Sequence, residues 1–199
     1  MVTAIIVAAG LSRRMAIANK MLLPFGTGTV VAHTVSAVLA AGVKEVIVVV
    51  GHEAAKVKKA LEHLPVRIVM NDGYERGLSS SLQAGLAVAK GTGFMLCLAD
   101  MVTIEAREYA QLVQAFEDAL TQDARAICLP RYQGQKGNPV IFSAAYCNEL
   151  LGHVEADGFK EIVQAHLNHV HWVDMPTNHV LQDIDEPDDY ERFFEEIQG

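Results

Sequence analysis

The sequence predicts an α/β protein: a mostly parallel sheet with helices on both faces. Three observations carry this prediction. Apolar, largely β-branched runs recur at 4–8, 46–50, 66–70, 94–99 and 125–129. Helix-period segments alternate with them near 29–41, 53–62, 80–90 and 105–120, and strands alternating with helices build parallel sheets. The 199 residues are 51% hydrophobic and 20% charged, a composition that buries one core, so residues 1–199 are read as a single domain.

Taken in order, the first run is Ala4 to Ala8, ending in small residues before a loop that carries Arg13, Arg14 and Lys20. Each later run is followed by a helical segment, as a parallel crossover requires. Beyond 130 the rhythm loosens. A turn falls at "RYQGQKGNP", a short strand at 139–142, helical pieces near 143–151 and 158–166, a strand near 169–173 and a last helix from Pro187. No repeat or linker composition separates this tail from the rest. Trp172 and Val173 are expected to pack into the sheet.

Composition also excludes several functions. The formal net charge of -8 argues against a nucleic-acid partner, which needs an extended basic face. Three scattered cysteines, Cys97, Cys128 and Cys147, suggest neither a disulfide framework nor a zinc cluster and fit a reducing, cytoplasmic setting. The N-terminal apolar run is too short to span a bilayer, and its positive charges follow it, so it is not read as a signal peptide and no membrane partner is expected. The chain is expected to start at or near Met1.

Ligands of such sheets bind outside the carboxyl ends of the strands, and three polar clusters fall there. The first is the loop from Gly10 to Lys20, which matches neither GxxxxGK[ST] nor GxGxxG. Ala8, Ala9 and Gly10 leave backbone amides accessible, while Arg14 and Lys20 offer cations to a polyphosphate. The alternative is a solvated basic loop. The second cluster, "GLSSSL", reads as a helix N-terminus with Ser79, Ser80 and Ser81 as possible caps, or as a donor array for an anion or a base edge. The third is Asp100, either a turn residue or a hard oxygen ligand for Mg²⁺. A second carboxylate would come from "LQDIDEPDDY". Asp188 and Asp189 are explained by the helix that follows Pro187. Asp183 and Asp185 precede it, face one side if the segment is extended, and both stay candidates.

His166, His169 and His171 lie within six residues. Their spacing crosses a helix-to-strand boundary, so surface histidines are the preferred reading over a metal site.

The segments "AIIVAAGLSRRMAIANKMLLP", "ERGLSSSLQAGL", "LADM", "KGNPVIF", "ADGFKEIV" and "DIDEPDDY" resemble, in this order and across essentially the whole chain, the MobA-like molybdenum cofactor nucleotidyltransferases, most of all their cytidylyltransferase branch. The resemblance implies a Rossmann-like, three-layer nucleotidyltransferase fold. It also implies transfer of CMP from CTP to the phosphate of a molybdopterin-type cofactor, with Mg²⁺ and release of pyrophosphate. By motif, Ala8, Ala9 and Gly10 would line the base and ribose, Arg14 and Lys20 would hold the triphosphate and act in catalysis with Asp100, and Ser80 and Ser81 would bind the nucleotide, Ser81 at the cytosine. Asp100 and Asp185 would share the metal. A recipient molybdoenzyme or its chaperone would be a further partner.

Departures from the family pattern are Ala16 for a glycine, Ala99 for a glycine, Val102 for a proline and Asn138 for a common histidine. A transferase acting on a sugar or alditol phosphate, and a nucleotide- or cofactor-binding delivery protein without turnover, are the alternatives.

Overall fold

The computed structural model describes residues 1–15, 19–156 and 158–198. In chain order the strands and helices are β1 (Val2–Ala8), β2 (Pro24–Phe25), β3 (Gly28–Thr29), α1 (Val30–Ala40), β4 (Glu45–Val50), α2 (Ala54–Ala60), β5 (Arg67–Met70), α3 (Leu78–Leu86), β6 (Gly93–Leu98), α4 (Ala106–Leu120), β7 (Ile127–Tyr132), β8 (Gln135–Lys136), β9 (Val140–Ser143), α5 (Cys147–Gly152), α6 (Lys160–Ala165), β10 (Val170–Asp174) and α7 (Pro187–Gln198). One eight-stranded sheet runs in the order β10-β7-β9-β6-β1-β4-β5, with β8 added to β7, and β2 and β3 form a small separate hairpin.

The predicted α/β class is observed, with a sheet that is mostly parallel. β1 lies between β4 and β6, parallel to both. All seven of its residues are buried, as a central strand covered on both faces demands. Alternate side chains of β1 enter opposite cores. Val2, Ala4, Ile6 and Ala8 pack with α1 and α4 residues such as Val35 and Leu112. Ile5, Val7 and Ala9 pack with Leu82 and Leu86 of α3 and Ile162 of α6. These two cores make the three layers.

The loosened rhythm beyond 130 has a physical origin. β9 pairs antiparallel with both β6 and β7, so the chain enters the sheet from the other end and needs no crossover helix. The 125–129 run was placed early, because Pro130 hid the continuation to Tyr132: β7 pairs Pro130 opposite Val173 of β10. The same edge corrects Trp172. Val173 is buried, but Trp172 is 42% exposed and its ring is covered by the Arg131 guanidinium at 5.6 Å, which Asp174 holds through two hydrogen bonds.

A third, smaller core sits at the carboxyl end of the sheet. It joins Met15, Phe25, Val30, Val102, Ile184 and Phe193, so α7 and the segment before it are clamped beside the first loop. Among the described residues no helix is long and apolar enough to cross a membrane.

The segment entering this core is also tied to α4. Glu108 is buried and accepts from the Glu105 N–H, Thr177 Oγ1 and His179 Nδ1. Burial works against its ionisation, but these hydrogen bonds outweigh it and hold Glu108 below the ordinary value of 4.5. A depressed carboxyl stabilises the fold above its unfolded pKa and loses that contribution as pH falls through the folded one. Glu108→Gln should therefore cost about 1–3 kcal/mol at pH 7. The gap from the unmodified protein should narrow as pH falls below the ordinary carboxyl value of 4.5 and through the depressed folded one, as read from urea midpoints across pH.

Candidate active site

The first loop leaves β1 at Ala8, and its small residues keep the backbone bare. A Cβ at Gly10 would meet nothing within 4 Å. Arg13 to Met15 form a 3₁₀ turn and Lys20 opens another. Asn19 caps this second turn by accepting from the Met21 N–H. Ser12 Oγ accepts from the Lys20 N–H at 3.1 Å. Lys20 is thereby fixed from both sides and sits buried. The Ala16 departure and the Arg13 side chain lie outside the described residues.

Lys20 Nζ stands 2.5 Å from Asp100 Oδ2 and 3.6 Å from Asp185 Oδ1. It also donates to the Ile184 carbonyl at 2.6 Å. Arg14, largely exposed, pairs with Asp185 Oδ2 at 2.6 Å. The Ile184 N–H donates to the Asp100 carbonyl at 3.2 Å, so the end of β6 and the segment before α7 are joined by backbone as well as by charge. Sequence reasoning assigned Arg14 and Lys20 to a triphosphate. In the structure both cations are engaged with the carboxylates, so any phosphate entering here would share those cations with Asp100 and Asp185.

The donor set fits a hard divalent cation. Asp100 Oδ1 is buried with no hydrogen-bond partner among the described residues, which is costly unless a cation or donor takes it up. Asp100 and Asp185 would hold the ion, and oxygen ligands of this kind suit Mg²⁺.

α3 begins differently from the prediction. Gly77, at φ +101°, is its N-cap, and no side chain caps the helix there. The serines lie inside the first turn instead. Gly77 is required: a Cβ would come within 2.6 Å of the Ala156 carbonyl. Ser79 Oγ accepts from the Gly158 N–H at 3.0 Å, so Ser79 braces the segment before α6. Ser80 donates to the Gly77 carbonyl at 2.8 Å. Ser81 faces a cavity of about 430 Å³ shared with Ala9, Gly10, Arg14, Lys20, Asp100 and Asp185. Ala8 is fully buried in the sheet core, and it positions the loop from beneath while Ala9 and Gly10 line the cavity.

The family model of the MobA-like NTP transferase domain matches residues 4–170. The chain belongs to this family. It is 27% identical to the molybdenum cofactor cytidylyltransferase of Escherichia coli strain K12 over 188 residues, covering 94% of this chain and 92% of that one. It is 28% identical to nicotine blue oxidoreductase of Paenarthrobacter nicotinovorans over 159 residues, 78% of each chain. The fold superposes with a TM-score of 0.86 on a nucleotidyl transferase from Methanothermobacter thermautotroptrophicus, at 26% identity, over 100% of this chain and 98% of that chain.

In this MobA-like domain a second cavity, of about 370 Å³, adjoins the first. Its floor is leucine-rich, with Leu82, Leu96 and Leu129, and Lys136, Asn138 and Lys160 are among its polar lining residues. Sequence reasoning missed Lys136 and Lys160. The available signal was their position inside "KGNPV" and "DGFKEIV". Asp183 lines this second cavity and Asp185 the first. The expectation that both face one side is therefore met only in part. Asp183 is pushed up to about 6 by burial first and then by the charges of Asp100 and Asp185.

The departures take their places as well. Ala99 is fully buried and Val102 packs in the third core, whereas Asn138 lines the second cavity. The histidines lie away from the site: His166 pairs with Glu149, and His169 and His171 both reach Asp123. Among the described residues no group of three or more His, Cys, Asp or Glu is arranged to hold a metal ion.

Proposed function

We propose that the chain transfers CMP from CTP to the phosphate of a molybdopterin-type cofactor and releases pyrophosphate, with Mg²⁺ held by Asp100 and Asp185. The observation that carries this reading is the cluster of buried Lys20 and Asp100 with half-buried Asp185 at the carboxyl ends of β1 and β6, opening onto a cavity that Ser81 also lines. The cytidylyltransferase named among the relatives supports the choice of reaction.

Ala9 and Gly10 would admit the nucleotide against bare backbone, and Ser81 would meet the base. Arg14 and Lys20 would turn from the carboxylates toward the phosphates. An acceptor phosphate oxygen bonds to the α-phosphorus as the bond from that phosphorus to the β-phosphate oxygen breaks, and Lys20 and Arg14 offset the charge gathering on pyrophosphate. Mg²⁺, when bound, supplies charge neutralisation on the phosphoryl oxygens. No side chain serves as nucleophile.

The second cavity is read as the acceptor site, with Lys136 and Lys160 available to an anionic group. Its leucine floor suits a flat ring better than an alditol chain, whose hydroxyls would find few partners there. The reaction is placed in the cytoplasm, with a molybdoenzyme or its chaperone receiving the product. Pyrophosphate release measured with CTP and GTP in the presence of molybdenum cofactor tests the reading. CTP should be preferred. Equal kcat/KM for the two nucleotides would refute the cytidylyl assignment, and no release with any nucleotide would favour a delivery protein.

A further inference from the structure

We infer that Asn71 is a specificity-determining positioning residue: it fixes the Ser81 hydroxyl as a hydrogen-bond donor toward the base, and so selects a ring nitrogen that accepts, as in cytosine, over one that carries a proton. This rests on the proposed placement of the base at Ser81.

The polarity of the chain of hydrogen bonds can be followed atom by atom. Asn71 ends the loop entry after β5 and is buried. Its backbone N–H donates to the Val50 carbonyl at 2.9 Å, so the residue is anchored to β4. The Gly73 N–H meets Asn71 Oδ1 at 3.0 Å. A backbone N–H can only donate, so the amide oxygen must face Gly73 and the amide nitrogen must face α3. That nitrogen lies 3.1 Å from Ser80 Oγ and 3.0 Å from Ser81 Oγ. Having two protons and no lone pair to offer, it donates to both serines.

The two serines then part ways. Ser80 gives its own proton to the Gly77 carbonyl, with the Gly73 carbonyl also in reach at 3.1 Å. Ser80 is thus satisfied inside the protein. Ser81 receives a proton from Asn71, and among the described residues no carbonyl or carboxylate takes the one it carries. Its hydroxyl borders the nucleotide cavity. With one lone pair taken by Asn71 and no internal acceptor for its proton among the described residues, the hydroxyl turns its O–H toward that space.

A donor at this point pairs with the adjacent N3 and O2 acceptors of cytosine. Uracil and guanine present N–H at the corresponding ring nitrogen, and two donors facing each other in a dry pocket leave both unpaired. Asn71 never touches the base in this scheme. It acts through Ser81.

The test is equilibrium titration of the full chain with CTP and with UTP in Mg²⁺, without acceptor. The unmodified protein should bind CTP more tightly. Asn71→Ala frees the Ser81 rotor and should lower the CTP:UTP affinity ratio. Asn71→Asp keeps the Gly73 contact but can only accept from Ser81, which turns the Ser81 lone pair outward, and should lower the ratio further, by about tenfold or more. In a Ser81→Ala background, Asn71→Asp should leave the ratio unchanged. A merely structural role would weaken both nucleotides alike. Binding of CTP with the unmodified ratio in either Asn71 variant overturns the inference alone, as does an equal effect of Asn71→Asp with and without Ser81. Failure of the unmodified protein to bind any nucleoside triphosphate overturns the proposed function, and this inference with it.

Discussion

Asp100→Asn should abolish nucleotidyl transfer, by about 10³-fold or more, and leave the fold in place. The substitution keeps the shape and an oxygen for Lys20 at the position now 2.5 Å away, while removing the charge that the proposed metal role of Asp100 requires. The unpartnered Oδ1 is the atom whose chemistry changes most. Asp185→Asn should behave alike, with a milder effect on stability because its side chain is 36% exposed. Turnover is read by pyrophosphate release and the fold by circular dichroism. Unmodified activity in Asp100→Asn would sink the metal assignment. Full activity of Asp185→Asn beside an inactive Asp183→Asn would move the second ligand two residues back, to the carboxylate that faces the other cavity.

Lys20→Ala should lower kcat/KM for CTP by about 10²-fold or more, as expected when a donor aimed at developing charge is removed. The structure adds a second consequence. Lys20 is the counter-charge of a buried Asp100, and removing one partner of a buried pair costs about 3–5 kcal/mol. The variant should therefore melt earlier in metal-free buffer, and added Mg²⁺ should restore stability without restoring turnover. Arg14→Ala should barely change stability, because its side chain is 66% exposed, yet should weaken CTP binding. Arg13→Ala should matter least. Equal and mild effects of all three would return the loop to a solvated basic segment.

The parallel half of the sheet was legible because buried parallel strands are continuous apolar runs: "AIIVA", "VIVVV" and "FMLCLA" admit little else. Legibility failed where the chain reverses. β9 carries only four residues, and nothing in "PVIFS" states that it runs against its neighbours. Trp172 was misplaced because an aromatic in a strand ordinarily seeks burial, and only the tertiary fold brings Arg131 over its ring. At the site, the residue types and their topological positions were readable, since carboxyl-end loops carry ligands. Their pairing was not. The Lys20–Asp100 contact joins residues 80 apart, and Ser79, Ser80 and Ser81 look alike in sequence, whereas each makes a different set of hydrogen bonds in three dimensions.

Leu78 and Leu98 line both cavities, so the two spaces share part of an aliphatic wall. A shift of either side chain toward one space alters its surface in the other. Interiors packed to crystal density transmit displacement instead of absorbing it. If both cavities take ligands as proposed, any coupling between them is reciprocal: whatever factor a nucleotide imposes on the neighbouring ligand, that ligand imposes on the nucleotide. On the proposed reaction, this shared leucine wall would couple the binding of nucleotide and acceptor.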